Sequence, residues 1–184
     1  MGILIFLSYS MPISPGQRRF INDLRADLDG RGLEPRTLGV TDYDADIPLV
    51  AIRRLLAETN GLIAVAFRRW ELVMQAESSP PASAGSEIGD AHMHDRWTTS
   101  PYCHIEAAMA FQLGVPVLTL IESGVVRDGV LQDGVIGPRV ASFDLKRRVP
   151  AYLQSTEWQQ NVAKWEHRVR TVNDRKGHPP RWYD

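Results

Sequence analysis

The sequence predicts an α/β protein with a central, mostly parallel five-stranded sheet flanked by helices. Short runs that are apolar throughout alternate with longer segments whose apolar residues recur at helical spacing. Gly, Pro or Asn punctuates the junctions between them. The 184 residues, 43% hydrophobic and 23% charged, fit one globular domain and exclude a disordered chain or a fibrous repeat.

Ile3 to Ser8 reads as the first, central strand, buried on both faces. Phe20, Ile21, Leu24 and Leu28 then mark an amphipathic helix that Gly30 and Gly32 stop. Leu33 to Leu38 reads as a short second strand, followed by the acidic loop of Asp42, Asp44 and Asp46 and by a helix carrying Leu49, Ile52, Leu55 and Leu56. The apolar run Leu62 to Phe67 is the third strand, so strand and helix alternate as right-handed βαβ units require. Residues 77–95, rich in Ser, Pro, Ala and Gly without periodicity, predict a surface loop. Ser100 and Pro101 open the next helix, Gly114 closes it, and Pro116 leads into a strand over Val117 to Ile121. Arg139 to Leu145 is the candidate fifth strand, and Trp158, Val162, Trp165 and Val169 mark one face of a final helix. No internal repeat is visible.

No apolar run approaches the roughly 20 residues that span a bilayer. The only cysteine, Cys103, cannot form an internal disulfide, and the N-terminus shows no basic signal-peptide region, so a cytoplasmic location is expected. Residues 146–184 carry nine Lys and Arg against four Asp and Glu, an excess of five positive charges, while the rest of the chain has an excess of six negative ones. Such a tail can meet nucleic acid or a phosphorylated ligand, but it is more often a solvated helix face, which is the reading preferred here.

Between Arg96 and Glu122 the only Asp, Glu, Lys or Arg is Glu106. It sits in a helix of Ile105, Ala107, Ala108, Met109, Ala110, Phe111 and Leu113, and a helix apolar on nearly every side is expected to be buried. An unpaired buried carboxylate costs several kcal/mol, so this one needs a partner or a cleft. The bland alternative has Glu106 in solvent or paired with a structural Arg. Helical spacing puts Tyr102 and Cys103 one turn before it on the same side. A parallel sheet opens its ligand crevice at the carboxyl ends of its strands, here Ser8-Tyr9-Ser10 and Arg68-Arg69-Trp70.

These segments carry a resemblance. Phe6-Leu7-Ser8-Tyr9-Ser10 resembles the opening strand motif of TIR domains, and Ser100-Pro101-Tyr102-Cys103-His104-Ile105-Glu106 resembles their S-x-W-C-x-x-E segment, with Tyr102 where Trp is usual. With Gly114-Val115-Pro116-Val117 the likeness extends over residues 1–145, and residues 146–184 form a basic helical extension expected to pack on the same domain. The resemblance implies a flavodoxin-like three-layer TIR fold with Glu106 as the catalytic carboxylate. It also implies cleavage of the nicotinamide-ribose bond of NAD+, to ADP-ribose or a cyclic form, in antiphage signalling. Ser8, Tyr9 and Ser10 become pocket-lining candidates by the same route, with Tyr102 and Cys103 beside them. TIR–TIR assembly and a separate effector sensing the product are the partners it suggests.

The chemistry is consistent with that assignment. Nicotinamide leaves as a neutral ring, the ribose becomes oxocarbenium-like, and a fixed carboxylate stabilises that charge without a metal or a resident cofactor. Arg68, Arg69 and Trp70 could hold a diphosphate and stack on a base, or form a solvated loop with one anchoring Trp. His92, His94 and Asp95 have metal-like spacing but no third firm ligand, so no metal is expected. Cys103 reads as a small core residue rather than a nucleophile, since His104 beside it points about 100° away. The chain has no G-x-x-x-x-G-K-[ST], no G-x-G-x-x-G after a strand and no G-x-S-x-G, which removes the triphosphatase, dehydrogenase and α/β-hydrolase classes. Two rivals stay open: a nucleoside deoxyribosyltransferase-like enzyme, and a non-catalytic TIR adaptor acting by homotypic assembly.

Overall fold

A computed structural model describes residues 2–72, 97–137, 141–146 and 149–175. In chain order the elements are β1 (Ile3–Tyr9), α1 (Pro15–Gly30), β2 (Leu33–Arg36), α2 (Pro48–Glu58), β3 (Leu62–Ala66), β4 (Trp70–Glu71), β5 (Trp97–Thr98), α3 (Pro101–Gln112), β6 (Val117–Glu122), β7 (Ala141–Phe143), α4 (Val149–Leu153) and α5 (Thr156–Asp174). A 3-10 turn at Gly129–Leu131 lies between β6 and β7. Residues 77–95, expected to form a loop, lie outside the described residues, as does the start of the fifth strand expected from Arg139.

Five strands form one parallel sheet in the order β2-β1-β3-β6-β7, the order of flavodoxin-like doubly wound sheets. The apolar runs become strands because both faces are covered: β3 is buried at every position. Period-2 alternation sorts its side chains. Ile5 and Leu7 of β1, with Ile63 and Val65 of β3, join α1 and α5 in one core. Phe6, Leu62, Ala64 and Ala66 join α2 and α3 in the other. The result is three layers, helix, sheet and helix.

The chain leaves β1 for β2 on one side and returns to β3 on the other, so the loops after β1 and β3 diverge. In doubly wound sheets such a reversal is where a ligand crevice forms, at the carboxyl ends of these two strands. The acidic loop between β2 and α2 is pinned by arginines: Arg36 pairs with Asp42 and Glu58, and Arg54 with Asp44 at 2.7 Å. The final helix is part of the core. Trp158, Val162, Trp165 and Val169 share the cluster of Ile5, Leu7 and Phe20, and the Trp158 and Trp165 indoles donate to Asp27 at 3.1 Å and to the Pro116 carbonyl at 3.0 Å.

Short β4 and β5 pair antiparallel through Trp70 and Thr98, an addition that the sequence pattern did not announce. Two residues per strand are too few for a periodic signal. Among the described residues no helix is long and apolar enough to cross a membrane.

Gly61 marks how closely α5 approaches the sheet, because a methyl group there would collide with Val169 Cγ2 and Trp165 Cζ2. Gly61→Ala is expected to lower stability by about 1–3 kcal/mol in urea denaturation. Combined with Val169→Ala, its cost should be smaller than the sum of the two single changes, since the second makes room for the first.

Candidate active site

Helix α3 sets the phase of the site. The Ser100 side chain accepts from the Tyr102 amide at 3.3 Å and Pro101 occupies the first turn, which fixes where the helix starts. From there Cys103, Glu106, Ala107 and Ala110 form the buried stripe. The helix is not buried all round, as its composition suggested: Ile105, Phe111 and Leu113 are exposed on the outer side. Small residues on the inner stripe let α3 lie close to the sheet, and its larger apolar residues are left outside. Glu106 is therefore on the inner stripe, and 8% of it is exposed.

Its partner comes from β1. Leu7 points to the α1 side, so Ser8 points to the α3 side, where it is 2% exposed. The Ser8 hydroxyl donates a hydrogen bond to Glu106 Oε2. Burial pushes the Glu106 carboxyl up to about 7, and the Ser8 hydrogen bond opposes that rise. Near neutral pH this group exists in both protonation states, the condition under which a side chain can exchange a proton or meet a developing cation.

The other sequence candidates divide around this pair. Cys103 lies one turn before Glu106 and is buried; burial first, and the Glu106 charge second, push its thiol up to about 12. Such a thiol is not a thiolate at neutral pH and does not supply a nucleophile. Tyr102, one turn before Glu106, sits about 90° from the centre of the buried stripe and is 45% exposed, at its rim. Tyr9 follows strand alternation to the opposite face, where Arg25 reaches its hydroxyl at 3.5 Å and Thr37 at 2.7 Å. Ser10 follows the last residue of β1 and is half-buried. Arg68 follows β3 and points its Nε to the Ser123 carbonyl. The Arg69 guanidinium lies 4.6 Å from the ring centre of Trp70, which is 50% exposed. The structure thus brings Ser8, Cys103 and Glu106 together, leaves Tyr102 and Trp70 at the surface, and separates Tyr9 from them.

Two buried polar residues near this edge were not singled out from the sequence. Glu122 ends β6, and its Oε2 accepts from the Gln17 side-chain amide and the Arg68 backbone amide, both at 2.9 Å. The signals were present: Ser14-Pro15-Gly16-Gln17 has capping-box spacing, and Glu122 is the polar end of an apolar strand. On the other flank of α3 a shallow groove of about 430 Å³ is lined by Leu72, Thr98, Pro101, His104, Val126 and Asp128. His104 is about 160° around the helix from Glu106, so this groove is separate from the carboxylate. His92, His94 and Asp95 lie outside the described residues; among the described residues no three His, Cys, Asp or Glu are grouped to hold a metal.

No protein-family profile matches the chain, and no curated protein matches it. Solved structures do. A CMP N-glycosidase from Clostridium botulinum superposes with a TM-score of 0.50 at 16% identity, covering 85% of this chain and 98% of that one. A 2-desoxiribosyltransferase from Leishmania mexicana gives 0.47 at 15% identity, covering 90% and 98%. The TIR domains of the activated Roq1 resistosome give 0.40 at 11% identity, covering 95% and 76%. The first likeness shows a shared fold, and the other two overlap too loosely to carry an argument.

The burial of Glu106 has a thermodynamic consequence. An unfolded Glu titrates at roughly 4.3 and the folded Glu106 carboxyl at about 7, so between those values the folded state binds more protons. Its contribution to stability therefore falls as pH rises through that window and is constant above it. Glu106→Gln removes the loss: relative to the parent protein it should gain on the order of 3 kcal/mol between pH 4 and pH 8. Denaturant midpoints of the two proteins at both pH values check this.

Proposed function

We propose that this chain cleaves the N-glycosidic bond of a nucleotide, with NAD+ as the donor and Glu106 as the carboxylate that stabilises the ribosyl cation. The observation that carries the reading is the Ser8-to-Glu106 hydrogen bond, made by a buried carboxylate beside the strand-order reversal. The TIR-like motifs that contain both residues support NAD+ as donor, and the fold is one on which a CMP N-glycosidase is also built.

In this reading the ribose C1′–N bond breaks, its electron pair goes to the pyridine nitrogen, and nicotinamide leaves neutral. The positive charge left on the ribose faces ionised Glu106, in a site poor in water, where Coulomb attraction is strongest. Ser8 orients the carboxylate and shares its charge. Water then adds at C1′ and loses a proton, giving ADP-ribose; attack by a nitrogen of the adenine instead gives a cyclic product. NAD+ is the substrate, and the step calls for no resident cofactor. The same reading includes assembly of like copies and a separate effector that senses the product.

The test is incubation of dilute and concentrated protein with NAD+, CMP and deoxynucleosides, with products identified by mass. NAD+ turnover is expected, and Glu106→Gln should lower it at least 100-fold without loss of stability. Because the ionised form acts, kcat/KM should rise with pH through about 7. Ser8→Ala should reduce turnover about tenfold, the loss of one charge-assisted hydrogen bond. Turnover of deoxynucleosides alone would make the chain a deoxyribosyltransferase-like enzyme. NAD+ left intact at every concentration would favour the non-catalytic adaptor.

A further inference from the structure

We infer that Gln17 and Glu122 are positioning residues that lock the loop of residues 10–14, and the backbone of Arg68, at the mouth of the Glu106 crevice. The inference rests on the proposed site for its functional readout, but its geometry stands apart from it.

Glu122 lies at the end of β6 on the α1 side of the sheet, 7% exposed. A carboxylate in that position requires donors. It has the Gln17 amide and the Arg68 backbone N–H on Oε2, each at 2.9 Å, and Arg68 Nε lies 3.9 Å from Oε1. Gln17, also buried, uses both ends of its side chain. Oε1 accepts from the Ile13 backbone N–H at 2.8 Å, while Nε2 donates to Glu122 and to the Arg68 carbonyl at 3.1 Å.

This departs from an ordinary capping box. Ser14 Oγ accepts from the Gln17 amide at 3.1 Å, as a cap should, but the Gln17 oxygen takes the N–H of Ile13 instead of that of Ser14. Its amide nitrogen is thereby free to reach the ends of β3 and β6. One uncharged group thus ties the loop leaving β1 to two neighbouring strands. Among side chains of this length only an amide offers both the donor and the acceptor: Glu cannot donate here, and Leu can do neither.

The loop has little else to hold it. Met11 and Ile13 are both exposed, so it is not anchored by burial of its large apolar residues. It begins just past Ser8, the partner of Glu106, so its placement forms one wall of the crevice. Arg68 is set by the same group and by Gly124, whose φ of +89° and missing Cβ leave the space that the Arg68 guanidinium fills. A loop and an arginine fixed in this way act on how a substrate is held more than on how its bond breaks.

The test combines hydrogen exchange with kinetics on Gln17→Leu, Gln17→Glu, Glu122→Gln and the swap Gln17→Glu/Glu122→Gln. In Gln17→Leu the Ile13 amide, which donates to the Gln17 side chain, should exchange at least tenfold faster while the amides of β1 and β3 keep their protection. KM for NAD+ should rise at least fivefold with kcat lowered less than threefold. Gln17→Glu, which sets two carboxylates together, should be worse than Gln17→Leu. The swap restores a donor facing an acceptor and should recover much of that loss. Unchanged exchange at the Ile13 amide in every single variant would overturn the lock. So would a fall in kcat with KM unaltered, which would make these residues part of the chemistry. If no nucleotide is turned over, the reading of Glu106 fails, and the exchange data alone still decide whether the lock exists.

Discussion

The hydrogen bond from Ser8 to Glu106 depends on almost everything else in the fold. It joins a strand to a helix 98 residues later in the chain, and it exists only if both side chains arrive on the same side of the sheet. Strand alternation settles the first condition, since a shift of one residue would send Ser8 to the α1 face. The Ser100 cap settles the second by fixing the phase of α3. Parallel pairing of β1 with β3 then brings Ser8 level with Ala64, whose small side chain leaves room beneath the helix.

Two buried carboxylates lie near the carboxyl edge, on opposite faces of the sheet, and the protein treats them differently. Glu122 receives two amide donors and a nearby guanidinium, and its oxygens are committed to holding a loop in place. Glu106 has one hydroxyl donor, with its carboxyl pushed up to about 7 by burial. A carboxylate held by two backbone and side-chain amides is a structural joint; one with a single hydroxyl donor in a dry setting keeps more acceptor capacity for a ligand.

The strand-order reversal explains why these groups gather where they do. The loops after β1 and β3 must part, and Ser8, near the end of β1, and Arg68, just past the end of β3, stand beside that parting. The covering helices on the far face, α1 and α5, pack Phe20, Trp158 and Trp165 into one close-packed core against the sheet.

The sequence by itself determined the layered α/β class, because unbroken apolar runs and helical periodicity are local consequences of burial on two faces or one. It also determined the ends of α3 and the isolation of Glu106 among apolar neighbours. It could not determine which side of α3 would face the sheet, since a helix rich in apolar residues all round carries no periodic signal. Tertiary packing decided that by choosing the small residues, Cys103, Ala107 and Ala110, for the close contact and leaving Ile105 and Phe111 outside. The same packing sent Tyr9 to the far face, paired the two-residue strands β4 and β5, and brought Gln17 to Glu122 across 105 positions of chain. Contacts between distant residues depend on how the elements are stacked, and stacking is a property of the assembled core rather than of any one segment.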